Sequence, residues 1–315
     1  MSRNYIFAIL AAVLVVAAGG YVIAAGLFQP AGSAAEANGA GQGKLQATAS
    51  FYPLYYFASR IGGPYAEVYN LTPVGAEPHD FDPTTQDIAR IERGDMLILN
   101  GGVEPWGDKI REELKGRNVK VVVAGEGLLT RQVAEEGQAV PDPHVWLSPR
   151  LARQEAAHIL EGFRSVDAAN SAYYESQAKS LEDELDTLDA SYRAGLAHCR
   201  QKDIVTSHAA FAYLADSYGL TQVPIAGLSP DAEPSARDLA EIVKLARQKQ
   251  IKYIFFESLV SPRLAETIAT EIGARTMVLD PLEGLTDEQI RQGKTYFTVM
   301  QDNLRNLETA LECTM

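Results

Sequence analysis

Cysteine is nearly absent from this chain of 315 residues: there are two, Cys199 and Cys313, and neither lies in a CxxC pair. That excludes a thiolate zinc site of the usual spacing. Basic residues are also short, 28 against 41 acidic, for a formal net charge of −13. So acidic a chain is a poor partner for nucleic acid and suits a soluble protein that handles cations. Neither H-E-x-x-H nor G-x-S-x-G occurs, which counts against the common hydrolase architectures. Histidine is scarce, five in all, so where each one stands carries information.

What is present begins with Arg3 and an apolar run from Tyr5 to about Phe28. Such a run, residues 1–28, is a secretory signal or a membrane anchor. Its length is near the roughly 20 residues that span a bilayer, which favours an uncleaved anchor over cleavage near Ala25 or Ala35. No cysteine stands beside it to carry a lipid. Residues 29–44 are small and unpatterned and read as a flexible linker. Either way the folded part is extracytoplasmic and faces an oxidising compartment, where Cys199 and Cys313 are free to pair.

The remainder is 46% apolar over the whole chain, ample for two cores. Short apolar strands near residues 45–50, 68–71, 95–99 and 119–123 alternate with helical patterns, and residues 125–143 read as a loop. After a helix over 149–163 comes a long polar helical stretch, roughly 167–198. Its stripe of Tyr174, Ala178, Leu181, Leu185, Leu188 and Tyr192 runs at spacings of three and four. The strand–helix rhythm then restarts, with strands near 203–206, 221–225, 252–257 and 275–279. The expected fold is α/β: two lobes, each with a mainly parallel four-stranded sheet flanked by helices, joined by one long rigid helix. The lobes are placed at residues 45–165 and 200–315, with the connecting helix at 166–199.

Three of the histidines fall at strand ends or loop-to-helix junctions. His79 lies in Gly75-Ala76-Glu77-Pro78-His79-Asp80-Phe81-Asp82-Pro83, His144 in Asp142-Pro143-His144-Val145-Trp146, and His208 in Thr206-Ser207-His208-Ala209-Ala210-Phe211. Asp280 closes the apolar run Thr276-Met277-Val278-Leu279. Three imidazoles and a carboxylate suit a small borderline-soft cation. Two would come from each half, which puts the site in the cleft between lobes. Glu77 is either a competing fourth ligand or a loop charge. Glu257 and Asp142 are candidates either for ligation or for orienting an imidazole from behind. His158, mid-helix, reads as a surface residue, His198 as structural, and Trp106 and Trp146 as packing beside the cleft.

These loops, together with Phe255-Phe256-Glu257 and Leu279-Asp280-Pro281-Leu282, resemble in sequence order those of a zinc/manganese-type ABC transporter substrate-binding protein. The resemblance runs from about Leu45 to the end. It implies a monomeric, non-enzymatic carrier whose metal sits between the lobes on His79, His144, His208 and Asp280. It implies an ABC permease and its ATPase as partners, and the apolar N-terminal run would hold the carrier at the cytoplasmic membrane. A histidine at the third position, His208, favours Zn2+ over Mn2+. The stretch before His144 lacks the histidine-rich loop of many zinc members, which keeps a manganese or iron carrier as the alternative. The resemblance also implies a Cys199–Cys313 disulfide. A remoter alternative is an extracellular metallohydrolase with Glu77 or Glu257 as base.

Overall fold

The computed structural model describes residues 43–135, 138–230 and 234–314. The expected signal or anchor over residues 1–28, and the expected linker up to residue 42, lie outside the described residues. Among the described residues no helix is long and apolar enough to cross a membrane. From Lys44 onward the chain forms one compact unit.

The first half runs β1 (Leu45–Ala49), α1 (Tyr52–Gly62), β2 (Ala66–Asn70), α2 (Thr85–Arg93), β3 (Met96–Leu99), α3 (Gly107–Glu113) and β4 (Lys120–Val123). A hairpin of β5 (Gln132–Glu135) and β6 (Gln138–Pro141) leads to α4 (Pro149–Val166) and the 26-residue α5 (Ser171–Leu196). The second half runs β7 (Asp203–Thr206), α6 (Ala212–Tyr218), β8 (Thr221–Pro224), α7 (Ala236–Gln248), β9 (Tyr253–Phe256), α8 (Arg263–Ile272), β10 (Arg275–Val278), α9 (Asp287–Arg291) and α10 (Tyr296–Ala310). The strands form two four-stranded sheets, ordered β2-β1-β3-β4 and β10-β9-β7-β8, and every pairing in them is parallel. Parallel strands all end on one edge, so the loops after β2, β7, β9 and β10 open on the side where such sheets bind ligands.

Two local readings differ from expectation. Residues 125–143 hold the β5–β6 hairpin, whose four-residue strands are too short to show a pattern. The second half's first helix starts at Ala212 rather than at His208. The His208 carbonyl is already taken by Thr206 Oγ1 and Gln222 Nε2, both at 2.8 Å, so the chain turns before it coils.

The α5 stripe is buried from Tyr174 through Leu196, and its neighbours come from both halves. One continuous core joins Leu54, Phe57 and Ile159 on one side to Phe211, Leu214, Met300 and Leu307 on the other. Close helix-on-sheet packing is secured at Gly162 of α4, where a Cβ would meet Val122 Cγ2 at 2.5 Å and Met96 Sδ at 2.9 Å. A disulfide between Cys199 and Cys313, 114 residues apart, ties the end of α5 to the segment after α10. Closing a loop of that size stabilises by about 4–5 kcal/mol in the chain-entropy view.

The core also holds an anomaly. Glu155 on α4 is fully buried, and neither carboxylate oxygen has a hydrogen-bond partner. Burial, and then the charge of Glu104, push its carboxyl well above 4.5. The folded chain therefore keeps a proton that the unfolded chain has lost, so this residue costs stability increasingly as pH rises above that value. Replacing Glu155 by Leu should raise the melting temperature, by about 1–3 kcal/mol in stability. The gain should be larger at pH 8 than at pH 5; equal or smaller gains at pH 8 in thermal denaturation would contradict this account.

Candidate metal centre

His79 sits in the loop after β2, His144 just before the short turn Val145–Leu147, and His208 in the turn after β7. Glu283 sits in the loop after β10. The loops are held by backbone partners. Thr72 donates through N and Oγ1 to Ser50 O, at 3.0 and 2.7 Å. Asn100 Nδ2 donates to Pro143 O at 2.9 Å, and Tyr213 OH donates to Asp142 O at 3.1 Å. Trp146 Nε1 donates to Pro281 O at 2.7 Å, which joins the His144 loop to the Glu283 loop directly.

These elements bring His79, His144, His208 and Glu283 together. His79 Nε2 lies 3.3 Å from His144 Nε2 and 3.3 Å from Glu283 Oε1. His144 Nε2 lies 3.2 Å from Glu283 Oε1 and 3.4 Å from His208 Nε2. His208 Nε2 lies 3.3 Å from Glu283 Oε1. Five of the six edges of this tetrahedron are thus 3.2–3.4 Å. A centre 2.0–2.1 Å from four corners, the usual zinc–ligand distance, requires edges of roughly 3.3–3.4 Å. The His144, His208 and Glu283 side chains are fully buried, and that of His79 is 9% exposed.

Two imidazoles are fixed from behind. Asp142 Oδ1 accepts from His144 Nδ1 at 2.9 Å and from its backbone N at 3.0 Å. Glu257 Oε1 accepts from His208 Nδ1 at 2.6 Å. With Nδ1 carrying the proton, the Nε2 lone pair of each ring faces the centre of the cluster. Neighbouring lone pairs at such distances repel unless a proton or cation lies among them. Burial alone would lower the His208 imidazole, but Glu257 and Glu283 together outweigh it and hold His208 well above 6.5. His144 is likewise raised against burial, by Asp142 and Glu283. Burial would raise Glu283, but His208, His144 and His79 hold its carboxyl well below 4.5.

Asp280 is not in the cluster, which corrects the sequence expectation. Both of its oxygens are engaged elsewhere: Oδ1 accepts from Leu282 N at 2.8 Å, and Oδ2 from Ser258 Oγ at 2.6 Å and Gln289 Nε2 at 2.7 Å. The carboxylate beside the imidazoles is Glu283, three residues on. The available signal was a lone acid inside the apolar run Pro281-Leu282-Glu283-Gly284-Leu285. Glu77 also stands outside the four. Its Oε1 accepts from His79 N at 3.3 Å, and Oε2 is buried without a partner. Burial, and then the Glu283 charge, push its carboxyl up to about 9.

A family described as zinc-uptake complex component A, periplasmic (ZnuA), matches residues 48–310. The chain is 39% identical over 280 residues to the high-affinity zinc uptake system protein ZnuA of Bacillus subtilis strain 168, covering 85% of this chain and 88% of that protein. It is 38% identical to the zinc-binding lipoprotein AdcA of Streptococcus pneumoniae, over 84% of this chain and 56% of AdcA, so it spans about half of that relative. The crystal structure of the Zn(II)-bound ZnuA-like domain of Streptococcus pneumoniae AdcA is similar with a TM-score of 0.75 at 39% identity, covering 86% of this chain and 100% of that one.

The hydrogen bonds behind the rings generate a test. Glu257→Ala or Asp142→Ala should lower the affinity for a divalent cation about 10–100-fold while the protein stays folded. Calorimetric titration checks this, and unaltered affinity in both variants would show that ring orientation is set by packing alone.

Proposed function

We propose, for a chain that belongs to the ZnuA family of zinc-uptake components, that it captures Zn2+ outside the cytoplasm and delivers it to an ABC importer. The observation that carries this reading is the buried tetrahedron of three Nε2 atoms and one carboxylate oxygen. In it His79, His144, His208 and Glu283 are the ligands. Asp142 and Glu257 fix two of the rings. The ligands come from both lobes, residues 45–165 and 200–315, with residues 166–199 bridging them. A membrane permease and its ATPase receive the ion, and residues 1–28 hold the carrier at the membrane. The extracytoplasmic placement is supported by the description of AdcA as a lipoprotein.

Four protein ligands leave a tetrahedral ion no open position, the arrangement of a non-catalytic centre. That favours a carrier over a metallohydrolase, and the family is one of transport components. The nitrogen of His208 suits Zn2+ better than the harder Mn2+. When the ion enters, its charge replaces the protons that hold the raised His144 and His208 beside Glu283. When it leaves, those protons return and relieve the repulsion among the lone pairs. Capture and release are therefore an exchange of one dication for protons in a site that is never left without positive charge.

Competitive titration of the purified protein with zinc and manganese tests the reading. Zinc should bind one to one and outcompete manganese. His208→Ala should cost more than the roughly 10–100-fold expected from losing a hydrogen bond behind a ring. Equal affinity for the two metals, or intact zinc binding by the variant, would sink it.

The pH dependence follows from the same groups. Zinc needs neutral imidazoles, and His144 and His208 are raised above 6.5. Affinity should thus rise with pH and begin to fall at a pH already above 6.5 on acidification. Calorimetry in two buffers of different ionisation heat should register protons released on zinc binding; zero release at neutral pH would contradict this.

A further inference from the structure

Glu283 reaches the cluster from an uncommon kind of segment. Leu279 through Leu285 are all buried, yet none belongs to a helix or strand. Buried irregular backbone must find partners for its polar groups away from water. Much of that task falls on one residue. Asp280 N donates to Asn303 Oδ1 at 2.9 Å, and Asp280 O accepts from Asn303 Nδ2 at 2.7 Å. Its side chain accepts the Leu282 N–H, and Ser258 and Gln289 hold the other oxygen.

The residue after Pro281 is bent in a costly way. Leu282 has φ of +59°, in the left-handed region that side-chain-bearing residues avoid. The bend serves two neighbours at once: Leu282 packs into the main core at 0% exposure, while Glu283 turns to the imidazoles. By accepting the Leu282 N–H two residues on, the Asp280 carboxylate closes a turn over Pro281 and fixes the point from which the left-handed Leu282 sends the chain toward the imidazoles.

We propose that Asp280 is a positioning residue: by capping the Leu282 N–H it fixes the turn over Pro281 from which the left-handed Leu282 aims Glu283 at the ion. The proposal rests on the metal reading of the site and goes beyond it, because Asp280 acts with no contact to the ion. Gln289, on the short α9 near the surface, steadies Asp280 from outside and is part of the same restraint.

The test is a double-variant cycle on zinc affinity using wild type, Asp280→Ala, Glu283→Ala and the pair together. Asp280→Ala should lose about 10–100-fold, and the pair should lose no more than Glu283→Ala alone. Loaded with cobalt(II), Asp280→Ala should lose the intense visible bands of a tetrahedral ion as Glu283→Ala does. Asp280→Asn, which keeps an oxygen for Leu282 N, should recover most of the affinity. Unchanged affinity in Asp280→Ala, or losses that add in the pair, would overturn the proposal, the second outcome giving Asp280 an effect independent of Glu283. Should Asp280→Ala fail to fold, Gln289→Leu carries the same cycle with a smaller loss, and additivity there counts equally against it. If wild type binds zinc and the cycle is additive, only this proposal fails; if wild type binds no zinc, the metal reading fails with it.

Discussion

A buried carboxylate facing three imidazoles is the constraint on which the rest of the structure depends. Glu283 has one oxygen within 3.2–3.3 Å of all three Nε2 atoms and the other without a partner. Taken singly, each of these groups would be expensive to remove from water. Taken together they are tolerable only if positive charge, as protons or as a dication, sits among them. The surrounding architecture exists to hold four atoms at distances that a shift of an ångström would spoil, from loops with no regular hydrogen bonding of their own.

That precision is supplied by anchoring at two levels. Locally, three of the four loops are fastened by side chains that occupy their backbone: Asn100 and Tyr213 for the His144 loop, Gln222 and Thr206 for His208, Asn303 and Trp146 for the Glu283 loop. Globally, the lobes share one core around α5. Tyr296 OH donates to Trp146 O at 2.6 Å, and the indole of Trp146 packs edge-on to Phe51 with centroids 4.8 Å apart. Phe51 just before α1, Trp146 after the His144 loop and Tyr296 of α10 thus meet at one buried point. Parting the lobes would expose that point, so ion exchange is more economically accommodated by the loops than by rotation of whole lobes.

The acidic character of the chain acquires a local meaning at the site. Glu77, Asp142, Glu257 and Glu283 all lie around the three histidines. The Glu77 carboxyl, raised to about 9, is neutral at pH 7 and adds no further repulsion. A neutral acid beside an anionic carboxylate is what burial and like charge together produce. Glu155 obeys the same rule within the core, where no partner compensates it.

The sequence by itself determined the α/β rhythm, the parallel sheets, the buried stripe of the long helix and the three histidines. Those are readable because period, strand ends and residue type are local properties. The hairpin at Gln132–Pro141 was hidden by strands too short to carry a pattern. The fourth carboxylate was hidden for a different reason. Asp280 stands nearer the end of β10 and Glu283 deeper in the loop after it, and residue chemistry alone does not separate them. Only the left-handed turn at Leu282, and the donors supplied by Ser258, Gln289 and Asn303 from distant elements, decide which of the two turns toward the imidazoles and which turns away.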